Sequence, residues 1–267
     1  MKIILSRKGF DSGSGGFASP VLPDGTMVSL PIPEPGGPAR GGTAYRDVRT
    51  PYGSAATIVR DLSSFAPPTY AHLDPDLDPA ARERPAHWRA SFGQSGAAAG
   101  HLRNQGVGPG DLFLFFGLFR HTTVRDGALA FDPAFGAFHA IFGWLLVSEV
   151  LYPSEQPTPS WAAEHPHVRA PERVNNTLYV AAQTSGAGLL DYDRRRRLSC
   201  PEGPLSTWRL PEILDPASCG VAPSYHTDPA RWSRVDGSMM LRTVGRGQEF
   251  VIPDSRAWQS WAESVMS

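Results

Sequence analysis

"GVGPGDLFLFFGLFR", residues 106–120, decides how the chain folds. Three glycines and a proline end whatever precedes it, and Asp111 opens an almost unbroken apolar run. The run shows neither a 3.6-residue period nor strict alternation. Short continuous apolar runs bounded by turn residues fit strands covered on both faces. "FHAIFGWLLVSEVLYP" (138–153) repeats the pattern, "NNTLYVAAQ" (175–183) supplies a third strand, and residues 1–5 a fourth. A closed barrel would also satisfy runs of this kind.

Between the strands the spacing changes. Ile58, Val59 and Leu62 share one face of a helix near 54–64. "SGAAAGHLRNQGV" (95–107) reads as a helix ending at Gly106, and "AWQSWAESV" (257–265) as a closing helix. "SWAAEHPHV" (160–168) reads as a Ser-capped helical turn broken by Pro166. "MVSLPIPEP" (27–35) is a short strand followed by extended chain, and "GGPARGG" (36–42) a flexible turn. The 27 glycines and 26 prolines leave room for few long helices, while 41% hydrophobic residues suffice for a real core. The expected fold class is therefore α+β, a β-rich mixed domain with peripheral helices and long loops. The expected organisation is one unit over 1–267, with 184–267 as a more variable C-terminal extension.

The bulk numbers exclude several classes. A formal net charge of −1 argues against a coat held on duplex DNA by charge alone. Cys200 and Cys219 form no CxxC pair, so neither a disulfide framework nor a structural zinc site is expected. No apolar stretch reaches membrane-spanning length, and the apolar part of "MKIILSRKGF" is too short for a signal peptide. These features lead us to expect a soluble, cytoplasmic protein. GxSxG, HExxH and Walker A motifs are missing from the sequence.

The stretch with the most chemistry is "LSRKGFDSGSGGFASP" (5–20), a Gly-rich loop directly after a strand. Glycine lets backbone N–H groups converge on an anion. Ser6, Arg7, Lys8, Gly9, Ser12 and Ser14 form a candidate phosphate-binding group, and Asp11 is its one anionic member. Pro20 and Pro23 prevent the loop from opening a helix, so it is not a dinucleotide fingerprint. "HLDPDLD" (72–78) offers His72 and Asp74 for acid–base work or substrate contact. It fails as a calcium loop, and an Asx-rich turn explains its other aspartates. His165 and His167 lie two apart, on one side of an extended chain, but no third metal ligand is evident. No metal site is therefore assigned, and no cofactor follows from the sequence. Gln94 opens the helix after residue 94, Phe119-Arg120 closes an apolar strand, and Trp144 lies within the next. These four, together with His165 and His167, are candidates for holding a base or phosphate. His101 and His139 read as satisfied interfacial or core histidines. Asn175, Asn176 and Tyr179 lie where they could join a pocket around the two later histidines. "DRRRR" (193–197) reads as a solvated basic run, with contact to a nucleic-acid backbone as the alternative.

Taken in order, "KIILSRKGFDSGSGG", "LPDG…SLPIPE", "HLDPDL", "FGQ…AAGHL", "GVGPGDLFLFFGLFR", "HAIFGWL" and "HPHV…NNTLYVA" resemble the nucleotide modification associated domain 3 family. The resemblance covers roughly residues 1–183. It implies a setting in phage or bacterial DNA modification or restriction, with nucleotide or DNA and other modification-system proteins as partners. It assigns no catalytic role to any residue. The segment from Gly108 through Leu151 is also similar to PUA-like barrels, the fold shared by ASCH and EVE domains, which often hold a nucleobase. Three functions stay open: a nucleotide- or base-handling enzyme with Asp11, His72 and Asp74 in catalytic roles, a non-catalytic reader of a modified base, and a structural or regulatory subunit.

Overall fold

The computed structural model describes residues 1–34, 42–182, 185–245 and 249–267, so all but the last residue of the turn expected at 36–42 lies outside the described residues. The apolar runs do become strands. Leu112–Arg125 and Phe138–Leu151 each span 14 residues and pair antiparallel, from Phe119 opposite Phe138 to Leu112 opposite Leu146. They are the middle of one sheet whose path runs Phe250–Ile252, Ile3–Arg7, Leu112–Arg125, Phe138–Leu151, Thr177–Ala181 and Ser91–Gln94. Ile3–Arg7 runs parallel to Leu112–Phe116 and antiparallel to Phe250–Ile252. The C-terminal third therefore supplies an edge of the same sheet as the N-terminus.

Both faces of the central strands are covered, which is why their sequences do not alternate. Phe92, Phe113, Phe115 and Tyr179 pack against one another with ring centroids 4.9–6.0 Å apart. Each is essentially fully buried. Burying one such side chain stabilises the fold by about 1.5–3 kcal/mol. Among the described residues the two outer strands, Phe250–Ile252 and Ser91–Gln94, do not pair, so the sheet is open. The mixed α+β class holds, but the barrel does not: continuous apolar runs cannot distinguish closure from coverage by flanking elements.

The Gly-rich segment is an excursion from this sheet. The chain leaves after Arg7, where the Lys8 N–H donates to the Phe116 carbonyl at 2.8 Å. It returns at Ser19–Val21, which pairs parallel with Phe119–His121 of the same long strand. Residues 9–18 are thus held by both ends along one strand.

Helices form at Ala55–Leu62, Gly96–Asn104 and Arg256–Met266, as the spacing predicts. Ser54 caps the first by accepting from the Thr57 N–H, and Ile58 and Val59 are buried on its inner face. Pro166 differs from expectation. It starts a short helix, Pro166–Arg169, with His165 as N-cap accepting from the His167 N–H. The missing N–H of proline costs nothing at the first helical position. Cys200 and Cys219 are free thiols. No helix among the described residues is long and apolar enough to cross a membrane.

Candidate functional site

Four separated stretches meet at the end of the sheet where the excursion leaves it. Ile32–Pro33 pairs antiparallel with Tyr70–His72, which sets Glu34 beside His72. Ser91–Gln94 brings Gly93 under Asp74, and its N–H donates to Asp74 Oδ1 at 2.7 Å. The helix Pro166–Arg169 lays His167 across Gly93. A Cβ on Gly93 would lie 2.2 Å from the His167 ring, so only glycine admits the imidazole there. Arg7 through Ser14 form the remaining wall. Together they bound a cavity of about 440 Å³.

His72, Asp74 and His167 occupy one side of the cavity and are buried or nearly so. His72 Nδ1 lies 3.0 Å from Glu34 Oε2, and its Nε2 lies 3.9 Å from Asp74 Oδ2. His167 Nδ1 lies 2.7 Å from Asn176 Oδ1, and its Nε2 lies 3.6 Å from the same Asp74 oxygen. Asn176 Nδ2 donates to the carbonyls of His167 and Ala170, which fixes its amide with the oxygen toward His167. His165 Nε2 faces Asp74 Oδ1 at 3.6 Å and has no hydrogen-bond partner, while its Nδ1 accepts from the His167 N–H.

Electrostatics follow from burial and these partners. Burial alone would raise Asp74, but the N–H side of His165, with His72 and His167 whenever those rings are protonated, overcomes it and holds the carboxyl well below its usual range. Burial likewise opposes ionisation of Glu34, yet His72, Arg169 and Arg173 keep it an anion. Burial pushes His167 down to about 4, against the pull of Asp74, so its imidazole is neutral at pH 7.

The Gly-rich loop does form an anion nest, and its own aspartate occupies it. Gly13 and Ser14 N–H groups both donate to Asp11 Oδ1, at 2.7 and 2.8 Å. Arg7 pairs with Asp11 Oδ2 at 2.8 Å. Lys8 pairs with Glu249 at 3.1 Å, and Gln94 Nε2 donates to the same carboxylate. Arg173 sits 3.5 Å from both Glu34 and His167 Nε2, the loosest of the cavity's basic pairings. Three cations (Arg7, Lys8, Arg173) and three anions (Asp11, Asp74, Glu249) therefore line the space.

Of the sequence candidates, the cavity gathers Arg7, Lys8, Gly9, Asp11, Ser14, His72, Asp74, Gln94 and His167 in one place. His165 stands directly behind Asp74. Ser12 is at the exposed tip of the loop, and Ser6 is buried in the sheet. Phe119, Arg120 and Trp144 are not among the lining residues. Phe119 is buried against Phe142. Arg120 ties down the Phe131–Phe135 turn through the carbonyls of Asp132 and Phe135. Trp144 packs on Gly188. Glu34, Arg173 and Glu249 escaped the sequence reading, because a lone charged residue carries no spacing signal. Asn176 did stand among the residues expected to join the later histidines.

The family model described as nucleotide modification associated domain 3 matches residues 2–253. The chain belongs to that family. Every residue of the cavity falls inside the matched span. Comparison with curated proteins and with solved structures finds no match.

Proposed function

We propose that the cavity binds the nucleotide part of a DNA-modification substrate and that His72, Asp74 and His167 act on it as an enzyme's polar centre. The carrying observation is the convergence of Lys8, Gln94, His72, Asp74, His167 and Arg173, from four separate parts of the chain, on one space of about 440 Å³. Perturbed buried titratable groups around a concave polar space mark a candidate functional site. Lys8 and Arg173 are the phosphate-binding pair in this reading. Arg173 can swing from its long contact with Glu34 to grip a phosphate through two N–H groups. Asp11 keeps the loop in shape, so the backbone N–H groups it occupies do not contribute.

Titration calorimetry with nucleoside mono-, di- and triphosphates and with short plain and base-modified single strands tests this. Binding to at least one class is expected, weakened about tenfold or more by Arg173→Ala and by Lys8→Ala. Absence of binding to every probe, or variants that bind like the parent, overturns it. Conversion of the bound probe separates an enzyme from a reader, since a reader binds the same probes and leaves them unchanged.

A further inference from the structure

We propose that His72, Asp74 and His167 hold a single divalent transition-metal ion. This goes beyond the nucleotide reading and does not depend on it. The three groups present one potential ligand atom each, all within 4.8 Å of one another. They come from Tyr70–His72, the residue two beyond it, and the short helix Pro166–Arg169.

The hydrogen-bond partners assign the protons. Glu34 and the fixed Asn176 oxygen are acceptors, so His72 and His167 each carry their proton on Nδ1. Both Nε2 lone pairs then face Asp74 Oδ2, at 3.9 and 3.6 Å. With both rings neutral, three acceptors thus converge with no proton between them. These separations are too long for hydrogen bonds. They are near the spacing of two ligands on one ion, since donors about 2.1 Å from a tetrahedral ion lie about 3.4 Å apart. A nearby guanidinium does not resolve the convergence, because Arg173 comes no closer than 3.5 Å to His167 Nε2.

The surroundings match those of a metal ligand set. A ligating imidazole normally donates its other N–H to a carboxylate or a carbonyl oxygen, which fixes the ring. Glu34 does this for His72 and Asn176 for His167. His165 is a buried imidazole, 3% exposed, aimed at Asp74 with no partner at Nε2. Its Nδ1 accepts from a backbone N–H, so Nε2 bears the proton and faces Asp74 Oδ1, which the Gly93 N–H already holds at 2.7 Å, leaving Oδ2 for the ion. Two imidazoles and one carboxylate select zinc, iron(II), cobalt or manganese over magnesium and calcium, which take oxygen ligands. Three protein ligands leave positions open on the cavity side, the arrangement of a catalytic rather than a structural site.

The test uses the full chain stripped with a chelator and titrated with Co²⁺, Zn²⁺, Mn²⁺, anaerobic Fe²⁺ and Mg²⁺, with no nucleotide present. One equivalent of Co²⁺ should bind and give visible ligand-field bands that Zn²⁺ abolishes, and Zn²⁺ but not Mg²⁺ should raise the melting temperature. Asp74→Asn and His167→Gln should abolish the bands. Asn176→Ala, which touches no ion, should weaken binding about 10–100-fold. Pulsed EPR of the Cu²⁺-loaded parent should count two imidazole nitrogens, a readout that survives if a variant does not fold. The proposal is overturned if the folded parent binds all four transition metals only in the millimolar range. It also falls if Mg²⁺ binds as well as Zn²⁺, or if fewer than two imidazoles are counted.

Discussion

Two polar clusters share one cavity and are built on opposite plans. Asp11 in the Gly-rich loop has a donor for each oxygen: two backbone N–H groups on one and Arg7 on the other. Asp74 receives the Gly93 N–H on one oxygen, while two lone pairs point at its second. A buried carboxylate with its donors in place stabilises a conformation. A buried carboxylate facing further acceptors costs free energy unless something positive joins them. The loop that looks most like a binding motif is therefore self-contained, and the less conspicuous "HLDPDL" and "HPHV" segments carry the unmet demand.

The strongest way to break this contrast is Gly93→Ala. The added methyl would overlap the His167 ring at 2.2 Å. Urea unfolding should show a loss of about 1–3 kcal/mol, typical of overpacking, and the Co²⁺ bands should disappear. A variant with parental stability and intact bands would show that His167 does not need its place against the strand. Asp11→Ala comes next. It strips the acceptor from two backbone N–H groups and the partner from Arg7. The expected loss is about 1–2 kcal/mol, with Co²⁺ affinity unchanged. A fall in metal affinity as large as that of Asn176→Ala would mean that the two clusters are not independent.

A gentler probe is pH. His139 and His226 do not line the cavity. Burial, then the charge of Arg7, pushes His139 down to about 4. Burial likewise pushes His226 to about 4, against its contact with the Ser224 carbonyl. Unfolded, each imidazole takes its proton near 6.5. Between these values the unfolded chain binds more protons, so stability is full above pH 6.5 and falls as pH drops toward 4. Urea midpoints in a Mg²⁺-only buffer should decline over that window. His226→Gln should flatten part of the decline, and an unaltered slope would remove His226 as its source.

How much of this was legible beforehand differs between the sheet and the site. Residues 112–119 and 138–145 needed only their apolar continuity to be read as central strands, because burial on both faces writes itself into composition. Their openness was not readable, since it depends on which outer strands find partners. For the site, His72, Asp74, His165 and His167 were visible as residue types, but about ninety positions separate the pairs. What joins them is the pairing of Ile32–Pro33 with Tyr70–His72 and the seat of His167 on Gly93. Pro166 read as a breaker hid the short helix, although His-Pro before two further residues also fits a cap with proline at the first position. Phe119, Arg120 and Trp144 looked like a base sandwich. The strand pairing spent them instead on the core, a turn and a glycine contact.

The excursion over residues 9–18 begins and ends on the same long strand, with Lys8 bonded to Phe116 and Ser19 opposite Phe119. Between those ends it does not pair with the sheet; Phe10 anchors it in a second core with Leu30 and Tyr45, and its tip at Ser12 and Gly13 is exposed. That tip works as an exchangeable panel: it can be rewritten by insertion or substitution while Phe10 and Asp11 hold the loop and His72, Asp74 and His167, fixed by other elements, keep their places. Loops tolerate such change far better than the elements they join. Change at the rim of the cavity can therefore begin at this tip, with little cost to folding.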